Sequence, residues 1–131
     1  MSEKKKLTWE NDYQIGSGAN FTCAKFGTAG GSILAGGDDQ NTVLLWRVTN
    51  NKPKVTLVGQ QSHSTVMQFS NDAKRLFSGT LGGTVHVWDL ETSTDQTRLK
   101  GHTLGCTALA TSDNEQFLCT GSKDCKVKLW D

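Results

Sequence analysis

Three stretches of the chain repeat one pattern of short apolar segments separated by turn residues. In the middle copy the apolar segments are Thr65–Phe69, Arg75–Ser78 and Thr84–Asp89. The residues between them, Asn71-Asp72 and Leu81-Gly82-Gly83, are typical of tight turns. Short apolar segments bounded by such turns favour β-strands over helices.

The copies recur at a fixed spacing. Trp46, Trp88 and Trp130 stand 42 residues apart, and the segment Leu57–Asp89 aligns with Leu99–Asp131 without a gap. Self-similarity at a period of about 40 residues is typical of propeller and solenoid repeats. The spacing therefore predicts a repeat protein.

The first copy aligns with the second only if it contains one extra residue. Up to Gly36 the offset between the two copies is 43, and from Val43 onward it is 42. Hairpin turns accept insertions at low energetic cost. We therefore predict the insertion between Gly36 and Val43, which places Asp39 opposite Asp124 of the third copy.

A fourth short segment precedes the set in the second and third copies. These segments are Lys54–Val58 and Thr97–Lys100. Four strands in a unit of about 42 residues match a propeller blade. Val85 and Val87 point to one face of their strand, and Trp88 puts a large apolar group on the other face. Both faces of a blade therefore have to be buried, as they are in radially stacked blades. We predict an all-β propeller segment with three four-stranded antiparallel blades and an incomplete ring.

Composition and charge exclude several classes of function. The 131 residues contain 14 glycines, one proline and four tryptophans, and the net charge is +1. A nearly neutral chain lacks the basic surface that neutralises phosphates, so no nucleic-acid partner is expected. No apolar run approaches the roughly 20 residues that span a bilayer, and none follows Met1 as a secretory signal would require. The expectation is no membrane partner and a cytosolic or nuclear location.

The cysteines leave two readings, disulfides or reduced thiols. Cys23, Cys106, Cys119 and Cys125 form no CxxC pair and lie near no histidine at metal-ligand spacing. Without a secretory signal, free thiols are the favoured reading. The chain also lacks a GxxxxGK[ST] loop for nucleotide phosphates. We expect no metal and no cofactor.

The ends of the three copies carry a family resemblance. They read NTVLLWRV, GTVHVWDL and CKVKLWD, and Gly101-His102 stands upstream of the last. These strings resemble WD repeats. The resemblance implies a β-propeller in which each sequence repeat holds the outer strand of one blade and three inner strands of the next. The resemblance covers the chain from about residue 14 and places repeats at about 14–48, 55–90 and 97–131. Together with the polar, basic start of the sequence, it predicts a basic flexible tail, 1–6, and a propeller segment, 7–131.

The resemblance further implies a polar tetrad that stabilises each blade. The third copy has the full set: His102, Thr120, Asp124 and Trp130. An indole N–H only donates, a hydroxyl accepts and donates onward, and a histidine held by a carboxylate closes the chain of hydrogen bonds. Thr, His and Asp also mimic a nucleophile triad. The hydroxyl would be held by the indole, however, and no oxyanion-hole motif adjoins, so we predict a structural role and no enzyme.

The other two copies depart from the tetrad. The second copy has, at the four positions, Gln60, Ser78, Gly82 and Trp88. The first copy has, at the same positions, Ser17, Ala35, Asp39 and Trp46. We expect these two blades to lack the network and each to be less stable locally by about 1 to 3 kcal/mol.

A longer string narrows the resemblance. The chain is similar to the opening blades of the WD-repeat regulatory subunits of katanin, a microtubule-severing enzyme. The similarity lies in the strings LAGGDDQNTVLLWRVTNNKP, FSGTLGGTVHVWDLET and TRLKGH and in Trp9 before the first blade. This similarity implies a non-catalytic targeting scaffold at the centrosome or the cilium, with tubulin or a katanin-type ATPase subunit as partner. A WD-repeat adaptor that presents substrates to another machine, such as a ubiquitin ligase, is the alternative.

Partner contacts in propellers fall mainly on the loops at one rim. The candidates in this chain are six loop residues: Asp38, Ser62, His63, Leu81, Leu104 and Lys123. The alternative is that they are ordinary solvated turns. Lys4, Lys5 and Lys6 offer a contact to the acidic microtubule surface or form only a solubilising tail.

Three blades do not close a ring, and an open array leaves strand edges at both ends. The sequence provides no last strand for the third blade, while Leu7–Glu10 is a candidate outer strand for a neighbour. We expect further blades from the same protein, from other copies or from a partner. The isolated chain is then predicted to be oligomeric or unstable.

Overall fold

The computed structural model describes residues 20–27, 33–47 and 53–131, which form three antiparallel sheets. The first sheet consists of β1 (Phe21–Phe26), β2 (Ile33–Asp38), β3 (Val43–Arg47) and β4 (Pro53–Leu57). The second consists of β5 (Ser64–Phe69), β6 (Arg75–Thr80), β7 (Val85–Asp89) and β8 (Thr94–Leu99). The third consists of β9 (Cys106–Thr111), β10 (Leu118–Ser122) and β11 (Val127–Trp130). Among these residues no helix is long and apolar enough to cross a membrane.

The sheets are consecutive blades, as the repeat predicted. Strands follow one another in sequence order within each sheet, so each blade is a simple meander. The segment that opens the second sequence repeat forms β4 and pairs with β3 of the first sheet. In the same way β8 pairs with β7 and completes the second sheet. Each outer strand therefore belongs to the repeat of the following blade, which confirms the offset implied by the WD resemblance.

The turn between the second and third strands has the same length in all three blades. Gly37 pairs with Val43, just as Gly79 pairs with Val85 in the second blade and the corresponding pair forms in the third. A left-handed residue lies two positions before each valine: Asn41 (φ 65°), Gly83 (φ 92°) and Cys125 (φ 69°). The predicted insertion between Gly36 and Val43 is therefore wrong.

The extra residue of the first blade lies between its first two strands instead. Phe26 pairs with Leu34, whereas Phe69 pairs with Leu76, one residue sooner along the chain. Letter matching misplaced the gap because glycines occur at both 36 and 37 and either can be matched to Gly79.

The corrected register changes the assignments in the first blade. Gln40, not Asp39, occupies the position of Asp124. Gly36, not Ala35, occupies the position of the tetrad hydroxyl. Asp39 is the counterpart of Leu81 and Lys123 and accepts hydrogen bonds from the backbone N and side-chain Nδ2 of Asn20 at 3.2 Å each.

Neighbouring blades approach each other closely at glycines. A Cβ on Gly37 would lie 2.8 Å from the Cβ of Ser64, and one on Gly79 would lie 2.7 Å from the Cβ of Cys106. Real Cβ atoms do not approach that far, so a larger residue would push the blades apart. These contacts flank two apolar cores, one between the first and second blades and one between the second and third.

A threonine hydroxyl bridges each pair of neighbouring blades. Thr22 Oγ1 donates to the carbonyl of Ser64 at 2.6 Å, and Thr65 Oγ1 donates to the carbonyl of Cys106 at 2.5 Å. The matching position in the third blade, Thr107, is exposed. The bridge is thus part of the repeat.

The third blade has one bare face. Val127 and Leu129 are 75% and 69% exposed, whereas their counterparts Val85 and Val87 are 0% and 8% exposed. Val85 packs against Cys106 and Leu118 of the third blade, and nothing in the described part of the chain covers Val127 and Leu129.

Candidate protein-binding rim and its polar networks

The structure brings the four tetrad residues of the third blade into one chain of hydrogen bonds. Trp130 Nε1 donates to Thr120 Oγ1 at 2.9 Å, and Thr120 Oγ1 lies 2.8 Å from His102 Nε2. His102 Nδ1 lies 2.9 Å from Asp124 Oδ2. All donors and acceptors are satisfied when Thr120 donates to Nε2 and the Nδ1–H of His102 donates to Asp124. This order of donors leaves the Thr120 hydroxyl fully engaged.

The Asp124 carboxylate is equally engaged. Besides the histidine, the backbone N–H groups of Thr103 and Lys126 donate to it, each at 3.0 Å. Burial works to raise the pKa of Asp124, but the hydrogen bonds from His102, Thr103 and Lys126 outweigh it and lower the pKa to about 2. Asp124 is therefore an ionised anchor that ties the turn after β10 to the loop before β9.

The second blade has a network of its own, so the expectation that it lacks one is wrong. Trp88 Nε1 donates to Ser78 Oγ at 3.1 Å, and Ser78 Oγ donates to Gln60 Oε1. Gln60 Nε2 in turn donates to Ser64 Oγ at 3.0 Å. An amide both accepts and donates, so Gln60 does the work of the histidine, and Ser64 takes the place of the carboxylate.

Sequence reasoning missed Ser64 as a member of this network. The sequence alignment places Gln60 at the histidine position, but it does not reveal that the amide can accept from one serine and donate to another. The available signal was the pairing of a glutamine with a serine four residues later, in a segment otherwise filled with turn residues. Gln60, Ser64 and Ser78 are all buried.

In the first blade the predicted rim residue Asp38 turns inward. It is 3% exposed, and its carboxylate accepts from the backbone N of Gln40 and of Thr42 at 3.0 Å each and from Thr42 Oγ1 at 2.5 Å. Asp38 therefore stabilises its own turn, and its selection as a rim contact is wrong. Ser17, Leu7–Glu10 and the tail 1–6 lie outside the described residues.

Metal-binding groups and reactive thiols were sought among the described residues. Within the described ranges, no group of three His, Cys, Asp or Glu side chains is arranged to hold a metal ion. All four cysteines are free. Burial raises the pKa of the Cys23 and Cys106 thiols, which disfavours the reactive thiolate.

We define the loop rim as the loops 58–63 and 100–105 together with the turns 81–84 and 123–126. Backbone contacts join these segments within each blade: Leu81 N donates to the carbonyl of His63, and Lys123 N donates to that of Gly105, both at 3.0 Å. Side chains reinforce them, because Gly82 N donates to Ser62 Oγ at 3.0 Å and Ser122 Oγ donates to the carbonyl of Leu104 at 2.9 Å. The rim is therefore held rigidly at the same end as the networks.

The rim candidates differ in accessibility. Leu81 is 46% and Leu104 is 52% exposed, and Lys123 is also exposed. Ser62 and His63 are half-buried, and the Ser62 hydroxyl already accepts a hydrogen bond from the backbone N–H of Gly82. Leu81, Leu104 and Lys123 are thus the rim candidates whose side chains are most accessible to a partner.

A model of the WD domain, G-beta repeat matches residues 51–89 and 93–131, more than half of the chain. The chain belongs to the WD40 family. The matched residues hold both polar networks and the whole loop rim.

Individual WD40 proteins share about a third or less of their residues with the matched part of this chain. The chain is 36% identical over 77 residues to "Set1 complex component swd1" of Schizosaccharomyces pombe, which covers 59% of this chain and 19% of that protein. It is 36% identical over 100 residues to the angio-associated migratory cell protein of Pongo abelii, covering 74% of this chain and 23% of that protein. The solved structure of U3-55K superposes with a TM-score of 0.81 at 23% identity over 88% of this chain and 37% of that chain. The chain thus spans about a fifth of the length of the curated relatives it matches.

Proposed function

We propose that this chain is a non-catalytic protein-interaction scaffold that meets its partner at the loop rim. The observation that carries the proposal is that the buried polar side chains hold the blade together while exposed apolar side chains remain available on the rim. Thr120, His102 and Asp124 are fully used in holding the blade, while Leu81 and Leu104 stand exposed on the rim directly above. Exposed apolar side chains on a rigid loop frame are typical of a binding surface. The name of swd1, a component of a complex, agrees with such a role.

Site-directed photo-cross-linking tests this proposal. A photoreactive residue at position 104 should cross-link to a specific protein in cells, and Leu81→Ser should reduce the yield of that adduct. The matched control is the same photoreactive residue at position 74, since Lys74 is exposed in the turn after β5, at the opposite end of the blade. Adducts that form from position 74 and not from position 104 would overturn the rim as the binding surface.

Within this role we propose the microtubule as the partner, at the centrosome or the cilium in the cytoplasm. Support comes from the similarity of the segment Leu34–Pro53 to the katanin regulatory subunits. Co-sedimentation of the chain with microtubules should weaken when Lys4, Lys5 and Lys6 are replaced by alanine together or when Leu104 is replaced by serine. Unchanged sedimentation of both variants would exclude this partner. Co-purification that depends on proteasome inhibition would favour the ubiquitin-ligase adaptor instead.

A further inference from the structure

We propose that the partner segment recognised by the loop rim is acidic and carries apolar side chains, which sit on Leu81 and Leu104 while its carboxylates face Lys100, Lys123 and Lys126. This inference rests on the proposed function and adds the chemistry of the partner. The occupant is a protein segment and not a nucleic acid, because two exposed leucines belong to the contact surface.

The two leucines and Lys123 form a continuous row across the second and third blades. A Cβ on Gly105 would lie 2.9 Å from the carbonyl oxygen of Leu81, so the turn of one blade rests on the loop of the next. Leu104 precedes Gly105, and Gly105 accepts the backbone hydrogen bond of Lys123. The row therefore runs from Leu81 through Leu104 to Lys123 on a hydrogen-bonded frame.

The third-blade end of this row carries a net positive charge, since three lysines lie there with the single ionised carboxylate of Asp124. Lys100, Lys123 and Lys126 are exposed, and no carboxylate in the described ranges forms an ion pair with them. The nearest acid, Asp124, turns both oxygens inward to His102 and to backbone amides. Charges left unpaired around an apolar centre favour a partner of opposite sign.

The turn position held by Leu81 and Lys123 in the loop rim recurs in the first blade, next to the rim. The same turn position is occupied by Asp39 in the first blade, Leu81 in the second and Lys123 in the third, so its character changes from acidic to apolar to basic. A segment that lies along the rim therefore finds complementary charge only when its acidic end lies over the third blade. This polarity fixes the orientation of the bound segment as well as its composition.

Fluorescence anisotropy with the full chain and defined peptides tests the inference. The probe is a short labelled peptide with two leucines at one end and glutamates at the other. We expect Lys123→Glu to weaken its binding about tenfold, since a like charge replaces an attraction, and Leu104→Ser to weaken it severalfold. Lys74→Glu, the same charge change at the opposite end of the blade, should leave binding unchanged. If Lys123→Glu melts at a lower temperature than the parent, Lys126→Glu replaces it.

Other outcomes would overturn the inference. Equal affinity for a peptide with lysines in place of the glutamates would remove the role of charge, and equal affinity for a peptide with serines in place of the leucines would remove the apolar centre. Tighter binding of a single-stranded oligonucleotide would identify a phosphate-binding surface instead. If position 104 cross-links to a protein in cells while the glutamate peptide fails to bind, the proposed function stands and this inference falls.

Discussion

The second and third blades place the same tryptophan at the same register in different surroundings. Trp88 is 1% exposed between two neighbouring blades, whereas Trp130 is half-buried. The second blade joins its tryptophan to Ser78 and Gln60, and the third joins its own to a threonine, a histidine and a carboxylate. The blade with the full tetrad is therefore the one with less cover.

This contrast separates two contributions to stability. A satisfied polar network removes the penalty of burying polar groups, but it adds little beyond that. Burial of apolar surface supplies most of the favourable free energy. We therefore expect the second blade to be the more stable one, which reverses the order expected from the tetrad residues alone.

The largest expected effect comes from truncating each tryptophan in turn. Trp88→Ala should lower the free energy of unfolding by about 3 to 5 kcal/mol, since it empties a buried site between two blades. Trp130→Ala should cost about 1 to 2 kcal/mol because that ring is partly in solvent already. Urea unfolding followed by far-UV circular dichroism measures both. Equal losses would show that packing does not distinguish the blades.

The next effect concerns the glutamine network. Gln60→Leu should cost about 1 to 3 kcal/mol, because Ser78 and Ser64 lose their common partner in a buried site. Gln60→His should also destabilise, since the counterpart of Asp124 in this blade is Gly82. Adding Gly82→Asp should recover part of the loss by rebuilding the third-blade arrangement.

A double-mutant cycle in urea measures this recovery. Position 82 suits the test because a Cβ there would lie 3.1 Å from the Ser62 side-chain hydroxyl and not against backbone. Additive effects of the two substitutions would mean that the second blade cannot accept the histidine arrangement.

A smaller effect is expected at the threonine bridges. Thr65→Val removes the hydroxyl that reaches the carbonyl of Cys106 and should cost about 1 kcal/mol. Thr107→Val at the matching position should change stability by less than about 0.5 kcal/mol, since that side chain is exposed. Thermal melting of the two variants side by side gives the comparison. A similar loss for Thr107→Val would reveal a partner for its hydroxyl.

The smallest effect is confined to acid. The pKa of Asp124 is lowered from its ordinary 3.8 to about 2 in the folded chain. The stability that ionised Asp124 contributes is therefore fully present above pH 3.8 and is lost as the pH falls towards 2. Tryptophan fluorescence during acid titration should show a transition in that window that Asp124→Asn removes. Asp113→Asn, at an exposed carboxylate of the same blade, should retain it.

The sequence predicted the three blades because the 42-residue spacing of the tryptophans reflects a repeated structural unit. It also predicted which strand belongs to which blade. It misplaced the gap of the first blade because two adjacent glycines offered equal letter matches, and only the pairing of Gly37 with Val43 decides between them. The inward turn of Asp38 was missed for a related reason: side-chain direction depends on the turn that the residue itself builds.

Gln60 bears on how such a chain diversifies after its blades are duplicated. A blade that has lost its histidine and its aspartate still satisfies its tryptophan through two serines and an amide, so those two losses need not be repaired by reversion. Blades of one protein can therefore differ in sequence while each still pairs all the donors and acceptors around its tryptophan. A search that counts donors and acceptors at each strand position should then recognise degenerate copies that consensus letters pass over.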